Sequence, residues 1–315
     1  MSVILVGAGK MALAYYEVLE SRGSQVVVVG RGETTARSFE EKTSQRVERG
    51  GLQRWAAGDE APSGDFIIAV DVEHLEECTL AALAAGAKRV LVEKPGAMEV
   101  AGLHRISAAA RGAGASVSIA YNRRFYGVVR RVREMIAEDG GAQIFHIEFG
   151  ENPQKLATSS RSPEVLARTI YNHCSHVLDL GWFLSGEPVE LTALQAGTLP
   201  WHESGIFAGA GRTNTGALFT YRANWLVPGS WRIELQTARR QFVFAPLERP
   251  IWKENSAVEF QSVEAGSDSP FKAGVEAMLA AFLDGKDANS LCRLDEQIKR
   301  ADFYNRIGGY NTTNS

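Results

Sequence analysis

The sequence predicts an α/β protein: an N-terminal doubly wound parallel sheet, then an α+β domain with an open, mostly antiparallel sheet. Three observations carry this. Ser2–Val6 is an apolar strand that runs straight into Gly7-Ala8-Gly9-Lys10-Met11-Ala12 and a helical pattern. Apolar runs at residues 26–29, 66–70 and 90–92 alternate with helical stretches, as in a parallel sheet covered on both faces. From residue 142 the strands instead alternate polar with apolar side chains and come in series, which marks an antiparallel sheet with one packed face in a second domain. The division is expected at 121/122, giving domains of residues 1–121 and 122–315.

Composition agrees. The 315 residues suit two domains at roughly 150 residues each. A 45% apolar and 23% charged chain is ordinary for a soluble globular protein. A net charge of −3 gives no basic surface for nucleic acid or an anionic membrane. Cys78, Cys174 and Cys292 are odd in number and far apart, which fits neither a disulfide framework nor a zinc site and points to the cytosol. Residues 3–6 are too short for a signal-peptide core, and no run reaches membrane-spanning length. The tail from Gly308 to Ser315 is expected to fray.

In chain order, the first element is the strand–glycine turn–helix. Gly7 allows the tight turn, Gly9 lets the backbone approach a pyrophosphate at the helix N-terminus, and Ala12 keeps the helix close to the sheet. Residues 25–30 form the second strand. It ends in Gly30-Arg31 where a ribose-binding Asp or Glu would stand in an NAD site. Arg31 can pair with a 2′-phosphate, so the cofactor reading is NADP(H) ahead of NAD(H). Arg37 reads as a solvated helix face. Residues 40–64 are charged and glycine-bearing, with 53–56 the best candidate for a third strand. Strand 66–70 follows, then a helix through Leu75, Cys78 and Ala82, stopped at Gly86.

The stretch Arg89-Val90-Leu91-Val92-Glu93-Lys94-Pro95 is a buried strand that Pro95 ends. Lys94 is thereby held at the carboxyl end of a strand, where open α/β sheets bind their ligands, and a lysine there can donate or accept a proton. A helix over about 98–111 and a strand over 116–121 lead to Asn122-Arg123-Arg124-Phe125.

Gly7-Ala8-Gly9-Lys10-Met11-Ala12, Glu93-Lys94-Pro95 and Tyr121-Asn122-Arg123-Arg124-Phe125, in that order, resemble the glucose-fructose oxidoreductase / inositol dehydrogenase / rhizopine-catabolism (Gfo/Idh/MocA) family. The resemblance is good to about residue 125 and looser beyond. It implies an N-terminal Rossmann domain and a C-terminal domain whose open sheet often forms a dimer interface. It also implies hydride transfer between NAD(P) and a sugar, polyol or nucleotide-sugar, with Lys94 between nicotinamide and substrate. The expected cofactor contacts are Gly7, Ala8, Gly9, Lys10, Met11, Gly30, Arg31, Val70, Asp71, Glu93, Lys94 and Asn122. Tyr121, Arg123 and His176 are expected at the substrate, with Arg124 a further candidate.

In the second half, residues 129–136 form an amphipathic helix. Residues 142–150, 189–196, 216–223 and 231–238 alternate as strands, and helices from about Phe271 and Leu294 close the chain. The second chemical element is a helix over 169–185. Continuous α-helical spacing puts Asn172, His176 and Asp179 on one face, away from Ile170, Cys174, Val177 and Leu178, and turns His173, Cys174 and His176 in different directions. The resembled family often has D-x-G-x-H-x-x-D here; this chain has Asn172 for the first Asp and Cys174 for the Gly. An amide orients a ring but brings no negative charge, so His176 is expected to be a weaker base and Lys94 the main proton donor or acceptor, its pKa lowered by an oxidised nicotinamide. No metal is expected. The leading expectation is an NADP(H)-dependent sugar or nucleotide-sugar oxidoreductase, homodimeric or larger. The alternatives are an imine reductase of the same family and a non-catalytic NADP(H) sensor.

Overall fold

The computed structural model describes residues 2–58, 64–266 and 269–310. The strands are β1 (Ser2–Val6), β2 (Gln25–Val29), β3 (Val47–Glu48), β4 (Asp65–Ile68), β5 (Arg89–Glu93), β6 (Ser116–Ala120), β7 (Ala142–Phe149), β8 (Pro188–Ala196), β9 (Ile206–Thr213), β10 (Leu218–Asn224), β11 (Trp231–Thr237), β12 (Arg240–Phe244), β13 (Ile251–Glu254), β14 (Gln261–Ser262) and β15 (Cys292–Arg293). The helices are α1 (Lys10–Ser21), α2 (Glu33–Thr43), α3 (Gly51–Ala56), α4 (Leu75–Ala84), α5 (Val100–Ala113), α6 (Gly127–Glu138), α7 (Pro153–Ala157), α8 (Pro163–Ala167), α9 (Ser175–Ser185), α10 (Val275–Asp284) and α11 (Leu294–Gly308). No helix among the described residues is long and apolar enough to cross a membrane.

Two compact units result: Met1–Phe125 with Ser269–Ile298, and Tyr126–Asp268 with Lys299–Ser315. The expected domains, 1–121 and 122–315, differ from this because the chain returns to the first unit after residue 268. There α10 buries Val275, Met278, Leu279, Ala281 and Phe282 in the same core as α1. Arg89 donates to the Phe282 carbonyl in the last turn of α10 at 2.9 Å and pairs with Asp65. A cation at a helix C-terminus is favoured by the macrodipole.

The first unit's sheet has the order β15-β6-β5-β4-β1-β2-β3. Without β15 this is the 3-2-1-4-5-6 order of a dinucleotide-binding sheet. Its strands are parallel, and β15 adds an antiparallel edge on β6. The third strand is not at 53–56, which lies in α3; it is Val47–Glu48. Val47 is 1% exposed and pairs with Val28, but two residues flanked by arginines are too short for a periodicity to show.

The second unit's sheet runs β14-β13-β12-β11-β7-β10-β9-β8. Only β7 with β10 is parallel. Phe145, Ile147, Phe149, Phe219, Tyr221, Ile233 and Leu235 alternate into the packed face. On the other side of β7 and β10, Ile144 and Leu218 remain about half exposed (45% and 51%) beside His146 and Thr220. Strand β9 escapes the sequence pattern because its Ala-Gly-Ala-Gly core has low β-propensity. Gly211 stands where a Cβ would lie 2.5 Å from the Phe219 ring, so the ring beside it requires the missing side chain.

Two buried polar groups tie the end of the chain into this unit. Arg300, fully buried, pairs with Asp179 and Glu187. His202, 3% exposed, lies between the Ser204 carbonyl (Nδ1, 2.7 Å) and the Tyr310 hydroxyl (Nε2, 2.9 Å). Burial holds the His202 imidazole below its ordinary value of 6.5. The unfolded chain therefore binds a proton there that the folded chain does not, so stability falls as pH drops below about 6.5. Urea unfolding of His202→Gln between pH 7 and 5 should show a shallower loss, the difference approaching about 1.4 kcal/mol per pH unit. Equal slopes would remove His202 as the source.

Candidate functional site

In the first unit a cleft of about 320 Å³ opens along β1, β2 and β4, lined by Gly7, Ala8 and Gly9, by Arg31, Gly32 and Thr35, and by Val70, Asp71, His74, Glu77 and Cys78. The apolar residues of β1 bury on both sides and deliver the glycine turn to the cleft. Gly7 has φ +122° and its amide donates to the Val29 carbonyl at 2.8 Å; a Cβ there would stand 2.1 Å from the Ala69 carbonyl oxygen. Only glycine satisfies both demands. Gly9 precedes α1 as its N-cap, with no side-chain cap and no acid in the first turn, and a Cβ on it would meet nothing within 4 Å. The unscreened helix N-terminus thus has the N–H donors and the dipole that a pyrophosphate requires. The residues present fit a dinucleotide.

Arg31 reaches His74 across this cleft, Nη2 to Nε2 at 2.7 Å. A guanidinium only donates, so His74 Nε2 accepts. Asp71 and Glu77 stand on the same lining, and Gln53 donates to Glu77 at 2.6 Å. Burial pushes the Cys78 thiol up to about 11. His74, Thr35 and Glu77 are additions to the expected set; His74 and Glu77 follow β4, and Thr35 lies in the first turn of α2 after β2.

Of the other expected cofactor residues, Lys10, Met11, Gly30, Glu93, Lys94 and Asn122 do not line this cleft. Gly30 packs against Val47 and joins Glu48 through its amide. Lys10 opens α1 in solvent, and the Met11 sulfur lies 2.9 Å from Lys272 Nζ. Arg37 pairs with Glu33 on the exposed face of α2, as read from sequence.

At the end of β5, Tyr15 donates to Glu93 Oε1 at 2.6 Å. Desolvation raises the Glu93 carboxyl above its ordinary value, opposed by the Tyr15 bond and by Lys94. The peptide Lys94-Pro95 is cis. Gln297 Nε2 donates to the Pro95 carbonyl at 3.0 Å and its Oε1 accepts from Tyr121 at 3.1 Å. Tyr121, 1% exposed, is therefore a buried brace of the Lys94-Pro95 turn within this unit. Asn122, also buried, donates to the Ala273 carbonyl at 3.0 Å. Arg124, a further candidate at the substrate by sequence, is 1% exposed and bound to Glu296 and the Ser290 carbonyl. Arg123, its neighbour in the same 3-10 turn, is half-buried.

In the second unit the segment Ile170–Cys174 is π-helical and α9 begins only at Ser175. A π turn bonds i to i+5 rather than i+4, so the face read from continuous α-spacing is rephased at this point. Asn172 is buried, and its amide donates to the carbonyls of Val165 and Arg168. Asp179 is turned inward to Arg300. His176 does not share an open face with them; its ring lies 6.4 Å from that of Trp231. His173 lies 5.0 Å from the same Trp231 ring, so the two histidines are not directed apart as expected. Beneath them is Glu151, just past the end of β7 and 7% exposed. It accepts from Trp231 Nε1 at 2.9 Å, from the Cys174 thiol at 3.5 Å, and lies 3.3 Å from His173 Nε2. The sequence carries one signal for Glu151, a carboxylate directly after a strand.

No protein-family model and no curated protein matches the chain. Among solved structures, it is similar to UDP-N-acetylglucosamine 3-dehydrogenase GnnA from Acidithiobacillus ferrooxidans at 15% identity and TM-score 0.76, covering 98% of this chain and 96% of that one. A levoglucosan dehydrogenase in complex with NADH and L-sorbose matches at 15% identity and TM-score 0.77, over 98% and 95%. A putative NADPH-dependent oxidoreductase from Desulfitobacterium hafniense matches at 15% identity and TM-score 0.78, again over 98% and 95%. At these identities the likeness establishes the fold.

Proposed function

We propose that this chain is an NAD(P)-dependent oxidoreductase, using NADP(H) ahead of NAD(H), that moves hydride between nicotinamide and the hydroxyl- or carbonyl-bearing carbon of a sugar or nucleotide-sugar. The observation that carries the reading is the uncapped N-terminus of α1 behind Gly7 and Gly9 in the same unit as Lys94 at the end of β5. The similar solved structures include a nucleotide-sugar dehydrogenase and a dehydrogenase holding a sugar, which supports the substrate class. The nicotinamide supplies the hydride acceptor or donor. Gly7, Ala8 and Gly9 would hold its pyrophosphate, and Val70 and Asp71 would border the cleft it occupies. Lys94 would take the hydroxyl proton in oxidation and return it in reduction, with His176 assisting and Asn172 positioning.

Titration with NADPH and NADH, followed by nicotinamide fluorescence, tests the base of this reading. A charge-assisted bond from Arg31 to the 2′-phosphate is worth about 1.5–3 kcal/mol, or roughly a ten- to hundredfold preference for NADPH. Arg31→Ala should erase it. Equal binding of both nucleotides by the unaltered chain would remove Arg31 as the determinant. Failure to bind either would remove the oxidoreductase reading.

A further inference from the structure

Arg31 leaves the chain just past β2, in an exposed position. An unsupported arginine side chain loses much rotamer freedom when it clamps a phosphate. This one is already held. Its Nη2 donates to His74 Nε2 at 2.7 Å, and its Nη1 lies 3.5 Å from Nδ1 of the same ring. His74 belongs to a different element, the 3-10 turn Val72–His74 between β4 and α4. Both side chains line the one cleft.

We infer that His74 is the positioning residue of Arg31 and, through it, a determinant of specificity for the 2′-phosphate of NADP(H); the inference rests on the cofactor reading above. The chemistry of the partner supports it. Among the described residues Arg31 forms no ion pair with a carboxylate, and its hydrogen-bonding partner is this imidazole. A carboxylate would hold the guanidinium as firmly, but it would offset the positive charge and repel an incoming phosphate. A neutral imidazole nitrogen accepts one hydrogen and leaves the charge and the other donors of the fork for the ligand. The tautomer this requires is also provided for. Glu77 Oε2 lies 3.7 Å from His74 Nδ1, and Glu77 Oε1 accepts from Gln53 Nε2 at 2.6 Å. A carboxylate facing Nδ1 favours the proton on that nitrogen, which leaves the Nε2 lone pair for Arg31. Gln53, Glu77, His74 and Arg31 thus form one row along the cleft wall, from α3 through α4 to the end of β2. All four lie in the first unit. The row fixes the direction of the guanidinium before any nucleotide arrives, and it keeps the Glu77 charge on the imidazole rather than on the arginine.

The test titrates variants of the full chain with NADPH and NADH, again by nicotinamide fluorescence, and reads the ratio of the two affinities. Freeing the arginine costs the ordering of one long side chain, so His74→Ala should cut the preference for NADPH roughly three- to tenfold. His74→Gln keeps an acceptor within reach of Arg31 and should restore most of it. His74→Phe keeps a ring without an acceptor and should match His74→Ala. In an Arg31→Ala background the further change His74→Ala should move the ratio by less than about twofold, because no arginine is left to hold. A general defect of the cleft would weaken both nucleotides together and leave the ratio unchanged. A His74→Ala chain that keeps the full preference, while Arg31→Ala loses it, would overturn the inference and leave the cofactor reading standing. So would equal losses in His74→Ala and His74→Gln, or additive losses in the double variant, which would make His74 a phosphate ligand in its own right. An unaltered chain that binds both nucleotides equally would remove Arg31 and His74 together as determinants, and one that binds neither would remove the oxidoreductase reading as well.

Discussion

Replacing Lys94 by alanine is expected to lower kcat by about 10²–10⁴-fold, the range for loss of a general acid or base, while the NADPH dissociation constant moves less than threefold. The reason is positional. Val90, Leu91 and Val92 are fully buried, and the turn that follows is braced by Gln297 on the Pro95 carbonyl and by Tyr15 on Glu93. Lys94 therefore starts from a rigid backbone, which is what a group that must meet a reacting oxygen within a fraction of an ångström needs. Yet it does not line the cleft fitted to the dinucleotide phosphates, so removing it should spare cofactor affinity. Lys94→Arg separates charge from proton transfer. A guanidinium keeps the positive charge but cannot deprotonate, so this variant should remain within tenfold of the alanine variant. Stopped-flow reduction of the cofactor and equilibrium titration give the two quantities. Unaltered turnover in Lys94→Ala would end the proposed role, and a parallel collapse of NADPH binding would move Lys94 to the cofactor cradle.

The second large effect is on stability. Arg300→Met should cost about 3–5 kcal/mol, because it leaves the carboxylate of Asp179 buried at 1% exposure without its cation. That is a large part of the 5–15 kcal/mol that holds a typical domain together. The penalty belongs to the orphaned charge more than to the lost pair, so the double variant Arg300→Met/Asp179→Leu should recover most of it. Urea unfolding followed by tryptophan fluorescence reads this directly, since Trp182 is buried on α9 with Asp179. A loss below 1 kcal/mol in the single variant would mean that water solvates the Asp179 carboxylate once Arg300 is gone.

These two residues also show where the sequence was legible. Lys94 could be placed because a short apolar run stopped by proline has few structural solutions, and the glycine turn at Gly7 and Gly9 because strand, turn and helix are local. The parallel sheet, its order in outline and the antiparallel second sheet follow from the same local periodicities. Continuous α-spacing through residue 174 puts Asp179 and Asn172 on an open face, which the π turn abolishes. Nothing in Ile170-Tyr171-Asn172-His173-Cys174 announces a π turn, since its cause is how the flanking residues dock rather than their own propensities. Tyr121, Asn122 and Arg124 follow a strand end and so read as ligands. Their partners, Gln297, Ala273 and Glu296, come from more than 140 residues away, and local patterning does not carry pairing at that range. Glu151 is hidden from local patterning for the same reason: its partners His173, Cys174 and Trp231 lie in later segments.

The return of the chain to its first unit also has a consequence in time. The nucleotide-binding unit lacks α10 and β15 until residues 269–298 have been made. The 143 residues numbered 126–268 come in between. At about 5–20 residues per second of synthesis, that is a wait of roughly 7–29 s. Throughout it, the face of α1 that α10 will cover has no partner, and β6 remains an open edge. The second unit in turn waits for Arg300 to neutralise Asp179. The first unit thus receives its last segment only after the main body of the second has been made, and the last segment of the second follows at residue 299, within α11.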